Sequence, residues 1–261
     1  IDGEENIYIS DRSNGVVQIF DKNLNFKGLV DFGEVFLNRP SSVSIINIRD
    51  NSYLVLLQRE PSLETKMIVF TLSSKRDIAT ARNVSFDKLN LKDSQDMDTD
   101  KKGSIFIADT LNRRIVKTNI NGDLISEIDL SKISCNKRIL IKTICVRQED
   151  GNVFTADFDN CVIYEFDNEL NFLNQISLLN SKESLTIIRG IYVTMDEIFI
   201  CNRGVHQVSI FDFRGNFKKA LKVSNSSGLD WNHPVKIRAT NDKIYVADKE
   251  NDRILSFNKE N

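Results

Sequence analysis

Six segments of this chain share one form, and that repetition constrains the fold more than any other feature. A short β-rich run ends on a polar residue, usually Asp. A few polar residues follow, then a second β-rich run. The first runs are Ile7–Asp11, Tyr53–Gln58, Ile105–Asp109, Val153–Asp157, Ile198–Asn202 and Ile244–Asp248. Their closing polar residues recur with a period of about 47 residues, the length of a four-stranded propeller blade.

The third repeat shows how each unit divides. Strand a is expected over 95–99, b over 104–108, c over 114–119 and d over 124–130. The a–b turn carries Asp100-Lys101-Lys102-Gly103 and the c–d turn Asn119-Ile120-Asn121-Gly122. Gly and Asn accept positive φ, so both read as hairpin turns. Strands b and c are rich in β-branched and aromatic residues, as central strands are. No segment sustains helical spacing. The expected fold is all-β: a six-bladed β-propeller of four-stranded antiparallel blades, a single domain over 1–261. The first repeat opens at the end of its strand a, and the last stops after its strand c. A segment upstream of Ile1, followed upstream by further domains, is expected to supply the missing strands.

Composition removes several function classes. Lys and Arg number 35 against 37 Asp and Glu, a formal net charge of −2, so a globally basic nucleic-acid binder is excluded and any such activity needs a local patch. No apolar run approaches the ~20 residues of a membrane helix, and no membrane partner is expected. Cys135, Cys145, Cys161 and Cys201 have no CxxC spacing, and three lie in apolar runs. They read as buried thiols in a reducing, cytoplasmic setting, with no metal site. The two sequons, Asn83-Val84-Ser85 and Asn225-Ser226-Ser227, carry little weight in an Asn- and Ser-rich chain; occupied, they would favour an extracellular sensor propeller. The two histidines, His206 and His233, sit on separate loops, and Asp96 is the one acid placed near the start of a strand a. No nucleophile motif, phosphate loop or metalloprotease motif is present. No catalytic residue, cofactor or metal is expected.

The b–c turns narrow the family. They read Ile9-Ser10-Asp11-Arg12-Ser13-Asn14, Ile107-Ala108-Asp109-Thr110-Leu111-Asn112-Arg113-Arg114-Ile115 and Val246-Ala247-Asp248-Lys249-Glu250-Asn251-Asp252-Arg253-Ile254. This resembles the NHL repeat. The linkers Leu37-Asn38-Arg39-Pro40 and Trp231-Asn232-His233-Pro234 fit it too. Repeat five departs, with Asn202 for Asp and Val205 for Asn. Repeat two departs further, with Gln58 for Asp and a longer b–c loop. The Asp of each turn is expected to accept backbone N–H bonds, and the Asn to tolerate a left-handed conformation. Asp11, Asn14, Asp109, Asn112, Asp157, Asn160, Asp248 and Asn251 therefore read as structural. Phe36 and Trp231, before the linker Asn, are expected to pack between blades.

Charge on the loops points to a partner. In a propeller the b–c loops and d–a linkers share one face. The a–b and c–d loops, on the other face, carry a marked acidic excess, whereas the b–c and d–a set is close to neutral. On that set the cations gather over repeats three to five: Arg113, Arg114, Lys137, Arg138, Arg189, Arg203 and His206, with Lys236 near the axial mouth. Resemblance to the NHL domains of TRIM-NHL proteins implies RNA binding on this face and post-transcriptional regulation. It also implies that any ubiquitin-ligase activity lies in upstream domains. The expected partner is a short single-stranded or stem-loop RNA. A protein-interaction scaffold is the alternative, and the domain is expected to be monomeric.

Overall fold

The computed structural model describes residues 1–73, 79–82, 87–133, 139–179, 185, 187–223 and 230–259, with the backbone alone for 79–82 and 87. The sequons and Cys135 fall outside these. The chain forms two compact halves, Ile1–Asp129 and Leu130–Asn261.

The first half holds three antiparallel sheets, each an up-and-down meander. Sheet one is β1 (Ile7–Asp11), β2 (Val16–Phe20) and β3 (Phe26–Leu29). Sheet two is β4 (Pro40–Ile48), β5 (Asn51–Arg59), β6 (Thr65–Leu72) and β7 (Ala79–Arg82). Sheet three is β8 (Asp96–Thr99), β9 (Ile105–Asp109), β10 (Arg114–Thr118) and β11 (Leu124–Asp129). The second half repeats the plan. Its sheets are β12 (Ile141–Val146), β13 (Val153–Asp157), β14 (Val162–Phe166) and β15 (Phe172–Ser177); β16 (Ile188–Val193), β17 (Ile198–Asn202), β18 (Gln207–Phe211) and β19 (Phe217–Ala220); and β20 (Pro234–Ala239), β21 (Lys243–Asp248) and β22 (Arg253–Asn258). Sheet one thus holds strands b, c and d of its repeat, and the last sheet a, b and c. Among the described residues the helical segments are short 3-10 turns.

Burial follows strand order. The b strands are covered on both faces: Ile105, Phe106, Ile107 and Ala108 of β9 are fully buried. Outer strands are half exposed, with Phe26 on β3, Leu124 and Ile125 on β11, and Phe172 and Leu173 on β15 facing solvent. Neighbouring sheets share one core. Val17, Ile19, Leu54, Leu56 and Phe70 join sheets one and two. Val55, Val69, Met97, Ile107 and Val116 join sheets two and three. In the second half Phe154, Ile163, Ile191 and Phe211 form one such cluster, and Phe199, Val208, Trp231 and Val246 the next. The a strands approach one another closely through small polar groups. Ser42 Oγ donates to Asp96 Oδ1 at 3.3 Å, and Ser44 and Thr99 hydroxyls meet at 3.1 Å. Gly190 on β16 permits the same approach to β20, since a Cβ there would lie 2.7 Å from the Val235 carbonyl oxygen.

Candidate functional site

The motif Asp closes the b–c hairpin in four of the six repeats. In sheet three Asp109 is fully buried and directly faces Arg114 across the β9–β10 hairpin. Its Oδ2 accepts from Arg114 Nε at 2.7 Å and Asn112 Nδ2 at 2.8 Å, and its Oδ1 from Lys92 N–H at 2.7 Å. The last contact ties down the linker entering the same blade. Sheet six repeats this set: Asp248 accepts from Arg253 Nε at 2.8 Å, Asn251 Nδ2 at 2.8 Å and Asn232 N–H at 2.7 Å. In sheet four Asp157 takes Asn160 Nδ2 at 2.7 Å and Leu140 N–H at 3.3 Å. In sheet one no Arg faces Asp11; Gln18 Nε2 donates to it at 3.2 Å, with Asn14 Nδ2 at 2.7 Å. Burial works against the Asp11 charge, but these donors and the Ser13 and Asn14 N–H groups outweigh it and lower its pKa. Repeat two preserves the latch with a different residue, for Gln58 Oε1 accepts Asn38 N–H at 2.9 Å.

The left-handed residue is not the motif Asn. It is the next one: Gly15, Arg113, Cys161, His206 and Asp252, with φ between 48° and 66°. The Asn instead turns its amide onto the Asp, which occupies it in an ordinary conformation.

These contacts sort the cations expected to bind RNA. Arg114 is engaged inside the fold. Besides Asp109 it donates to Glu127 at 2.5 Å and to the Leu89 carbonyl. Burial disfavours its charge, yet the bond to Asp109 and the charges of Asp109 and Glu127 raise its pKa overall. Its neighbour Arg113 is exposed. Both belong to the first half. Arg189 on β16 and Lys236 on β20 are half-buried in the second half. Lys137 and Arg138 lie outside the described residues.

Arg203 and His206 do come together. Their loop meets the linker into sheet six, where the His206 and His233 rings stack at 4.4 Å with planes 24° apart. The His233 N–H donates to His206 Nδ1 at 3.2 Å. His233 Nδ1 lies 3.7 Å from Glu250, which Lys249 holds at 2.5 Å. The hydrogen bond and charge of Lys249, then the charges of His233 and Arg203, lower the Glu250 pKa. Arg203 Nε is buried without a hydrogen-bond partner.

A second cluster, in the first half, is absent from the candidates drawn from sequence. Arg12 follows the latch residue of repeat one, Arg59 that of repeat two, and Arg39 occupies the linker position that His233 holds in repeat six. Arg39 and His233 share a left-handed backbone, φ 51° and 58°. Arg12 and Arg39 line one groove of about 470 Å³ together with Asn14, Gly15, Phe36 and Leu37. Burial first, then the like charges of Arg59 and Arg39, lower the Arg12 pKa, and Asp93 offsets part of this. Arg59 pairs with Asp93 at 2.5 Å.

Phe36 corrects one expectation. It is 85% exposed, whereas Trp231 is 7% exposed and donates its indole N–H to the Leu221 carbonyl at 2.8 Å. The residue aligned with Trp231 is Leu37, at 2%. Phe36 stands one place earlier and points outward. Alignment on the shared Asn-x-Pro would have shown this.

No family model and no curated protein matches the chain. Solved structures do. Virginiamycin B lyase from Staphylococcus aureus is 12% identical, over 100% of this chain and 83% of that one, with a TM-score of 0.59. A protein of unknown function from Bacteroides thetaiotaomicron is 11% identical, over 98% and 67%, at 0.67. KlHsv2 with its loop 6CD replaced by a Gly-Ser linker is 12% identical, over 94% and 73%, at 0.52. This is a β-propeller-like fold. At such identities the likeness is one of fold, and the lyase activity belongs to the Staphylococcus protein. The propeller-like fold places every latch, and both arginine clusters, on b–c loops and d–a linkers.

Proposed function

We propose that this chain is a non-catalytic protein-interaction module, engaging its partner with the b–c loops and d–a linkers of its first half. One observation carries the reading. Those loops form a continuous rim that exposes large apolar side chains among arginines. Phe36, Leu63 and Leu111 are 85%, 43% and 44% exposed, with Arg12, Arg39 and Arg113 beside them in sequence or groove. The rim is stitched by its own backbone: Asp93 N–H donates to the Leu63 carbonyl at 2.7 Å, and Leu111 N–H to the Lys92 carbonyl at 3.1 Å. Aromatic and Arg residues dominate the energetics of protein interfaces, whereas a phosphate chain favours an unbroken positive track. Here Asp93 and Glu60 interrupt the cations. The NHL resemblance, a six-bladed ring, a monomeric domain and a cytoplasmic setting belong to the same proposal.

The test is photo-crosslinking in the native cells. A benzophenone amino acid replaces Phe36, or, as a control on an a–b turn, Met195. A discrete protein adduct at position 36 and not at 195 is the expected result. Adducts at 36 that disappear with ribonuclease would overturn it.

RNA remains a second reading because of the second half. There Arg203 shares a loop with His206, whose ring stacks on His233, a cation and two rings that suit a phosphate next to a base. Polarisation against short RNAs across a salt series tests it. Salt-sensitive binding lost in Arg203→Ala supports RNA, and no binding at low salt removes it.

A further inference from the structure

The groove in the first half is unusual in how its charges are satisfied. No carboxylate lines it, and Asp11, Glu60 and Asp93, on the neighbouring loops, already have partners. Asp11 accepts from two N–H groups and two side-chain amides. Glu60 takes Gln58 Nε2 at 3.2 Å, Asn38 Nδ2 at 3.4 Å and Lys66 at 3.7 Å. Asp93 holds Arg59 at 2.5 Å. Arg12 and Arg39 make no ion pair or side-chain hydrogen bond among the described residues. They line the same groove, and Arg39 and Arg59 both act on Arg12 as like charges, with Asp93 the one opposing charge. Two guanidinium groups are therefore held near each other, and near a third, without carboxylates of their own.

The apolar wall is equally unsatisfied. Leu37 fills the core position of the linker, so Phe36 has no packing role, and its ring lines the groove at 85% exposure. Guanidinium groups with five donors in a fixed fork suit carboxylates, and an exposed ring beside them suits an apolar side chain.

We infer that the groove between Arg12 and Arg39 receives a short acidic protein segment, its carboxylates on the two arginines and an apolar side chain on Phe36. This rests on the protein-interaction reading and supplies the chemistry of the partner. A nucleic acid fits less well. Its evenly spaced phosphates would meet Glu60 and Asp93 along the rim, whereas a peptide alternates acidic and apolar groups freely.

The experiment is display of random twelve-residue peptides on the purified chain, followed by binding of the enriched peptides to variants. Enrichment of acidic peptides carrying an aromatic or aliphatic residue is expected. Their affinity should fall at least about tenfold in Arg12→Glu/Arg39→Glu and about threefold or more in Phe36→Ser, and stay unchanged in Lys101→Glu, an exposed site on an a–b turn away from the rim. Thermal melts show whether each variant is folded, and Arg12→Gln/Arg39→Gln gives a milder version of the charge test. Peptides without acidic bias, or insensitive to Arg12 and Arg39, would overturn the groove while leaving the protein-interaction reading in place. Enrichment of nothing, with RNA oligomers binding instead, would overturn both.

Discussion

Asp109 and Arg114 face each other across the first rung of the β9–β10 hairpin, with Arg114 Nε donating to Asp109 Oδ2 at 2.7 Å. The same carboxylate fixes the incoming linker through Lys92 N–H at 2.7 Å. One buried anion therefore joins the hairpin, its loop and the start of the blade. Asp248 with Arg253 does so again in the last sheet.

Removing that anion takes from Arg114 its buried partner, leaving it only Glu127 and the Leu89 carbonyl, and leaves the Lys92 N–H without its acceptor. Breaking a buried pair from one side costs about 3 kcal/mol or more. Asp109→Ala is expected to lose that much in urea unfolding. Asp11→Ala, at a half-exposed site with no arginine opposite, should lose clearly less. Equal losses would show that the arginine adds nothing.

Gly190 sits where two a strands nearly touch. A methyl group there would meet the Val235 carbonyl oxygen at 2.7 Å, and Lys236 Cα and Cys201 Sγ at 3.1 Å. Two of these neighbours are backbone and cannot rotate away. Cys201 is itself fully enclosed, and burial pushes its thiol up to about 12. Gly190→Ala should cost about 1–3 kcal/mol by overpacking. In alkylation followed by mass spectrometry it should also make Cys201 reactive, where the native chain protects it.

Arg147 and Asp150 set an acid response. Arg147 donates to Asp150 through Nε and Nη2, the latter at 2.5 Å, and lies over the Phe154 ring at 4.9 Å. Burial raises the Asp150 pKa, but the Arg147 hydrogen bond and charge and the Asn152 N–H outweigh it, so the net shift is downward. A depressed carboxyl contributes stability above its unfolded pKa and loses it as pH falls through the folded value. Asp150→Asn should therefore melt below the native chain at pH 6, and the gap should narrow as pH drops through the acid range. A gap that stayed constant would mean that charge is not what Asp150 supplies.

The propeller-like plan was legible because its latch is local. An Asp at the end of strand b, an Asn three residues on and a linker Asn-x-Pro all lie within the period of one blade, so spacing exposes them. The fate of an arginine was not legible in the same way. Arg114 and Arg12 look alike as cations near a motif Asp, but Arg114 stands five residues after its Asp and so faces it across the hairpin, whereas Arg12 is adjacent and points elsewhere. Repeat three also supplies Glu127 on the outer strand as a second partner, and no described residue supplies Arg12 with a first. Pairing is decided by cross-strand register, which charge counts along loops do not contain. The cluster of Arg12, Arg39 and Arg59 was missed for that reason.

Register also separates Phe36 from Leu37, and the separation can be measured. Both are large and apolar, and both precede Asn38. Leu37 is 2% exposed and packs with Val17, Val30 and Leu56 in the core shared by sheets one and two. Truncation to Ala leaves a cavity there, which costs about 2–5 kcal/mol. Phe36 contributes no comparable burial, so Phe36→Ser should change stability by less than about 0.5 kcal/mol, as substitutions at open surface sites do. Urea unfolding of the two variants is the direct comparison. A large loss at Phe36 would mean that its ring is covered in the native molecule, and the groove beside Arg12 and Arg39 would then lose its apolar wall. A small loss, with binding impaired, would assign the ring to recognition, since a side chain that adds nothing to the fold yet matters to a partner has no other role to fill.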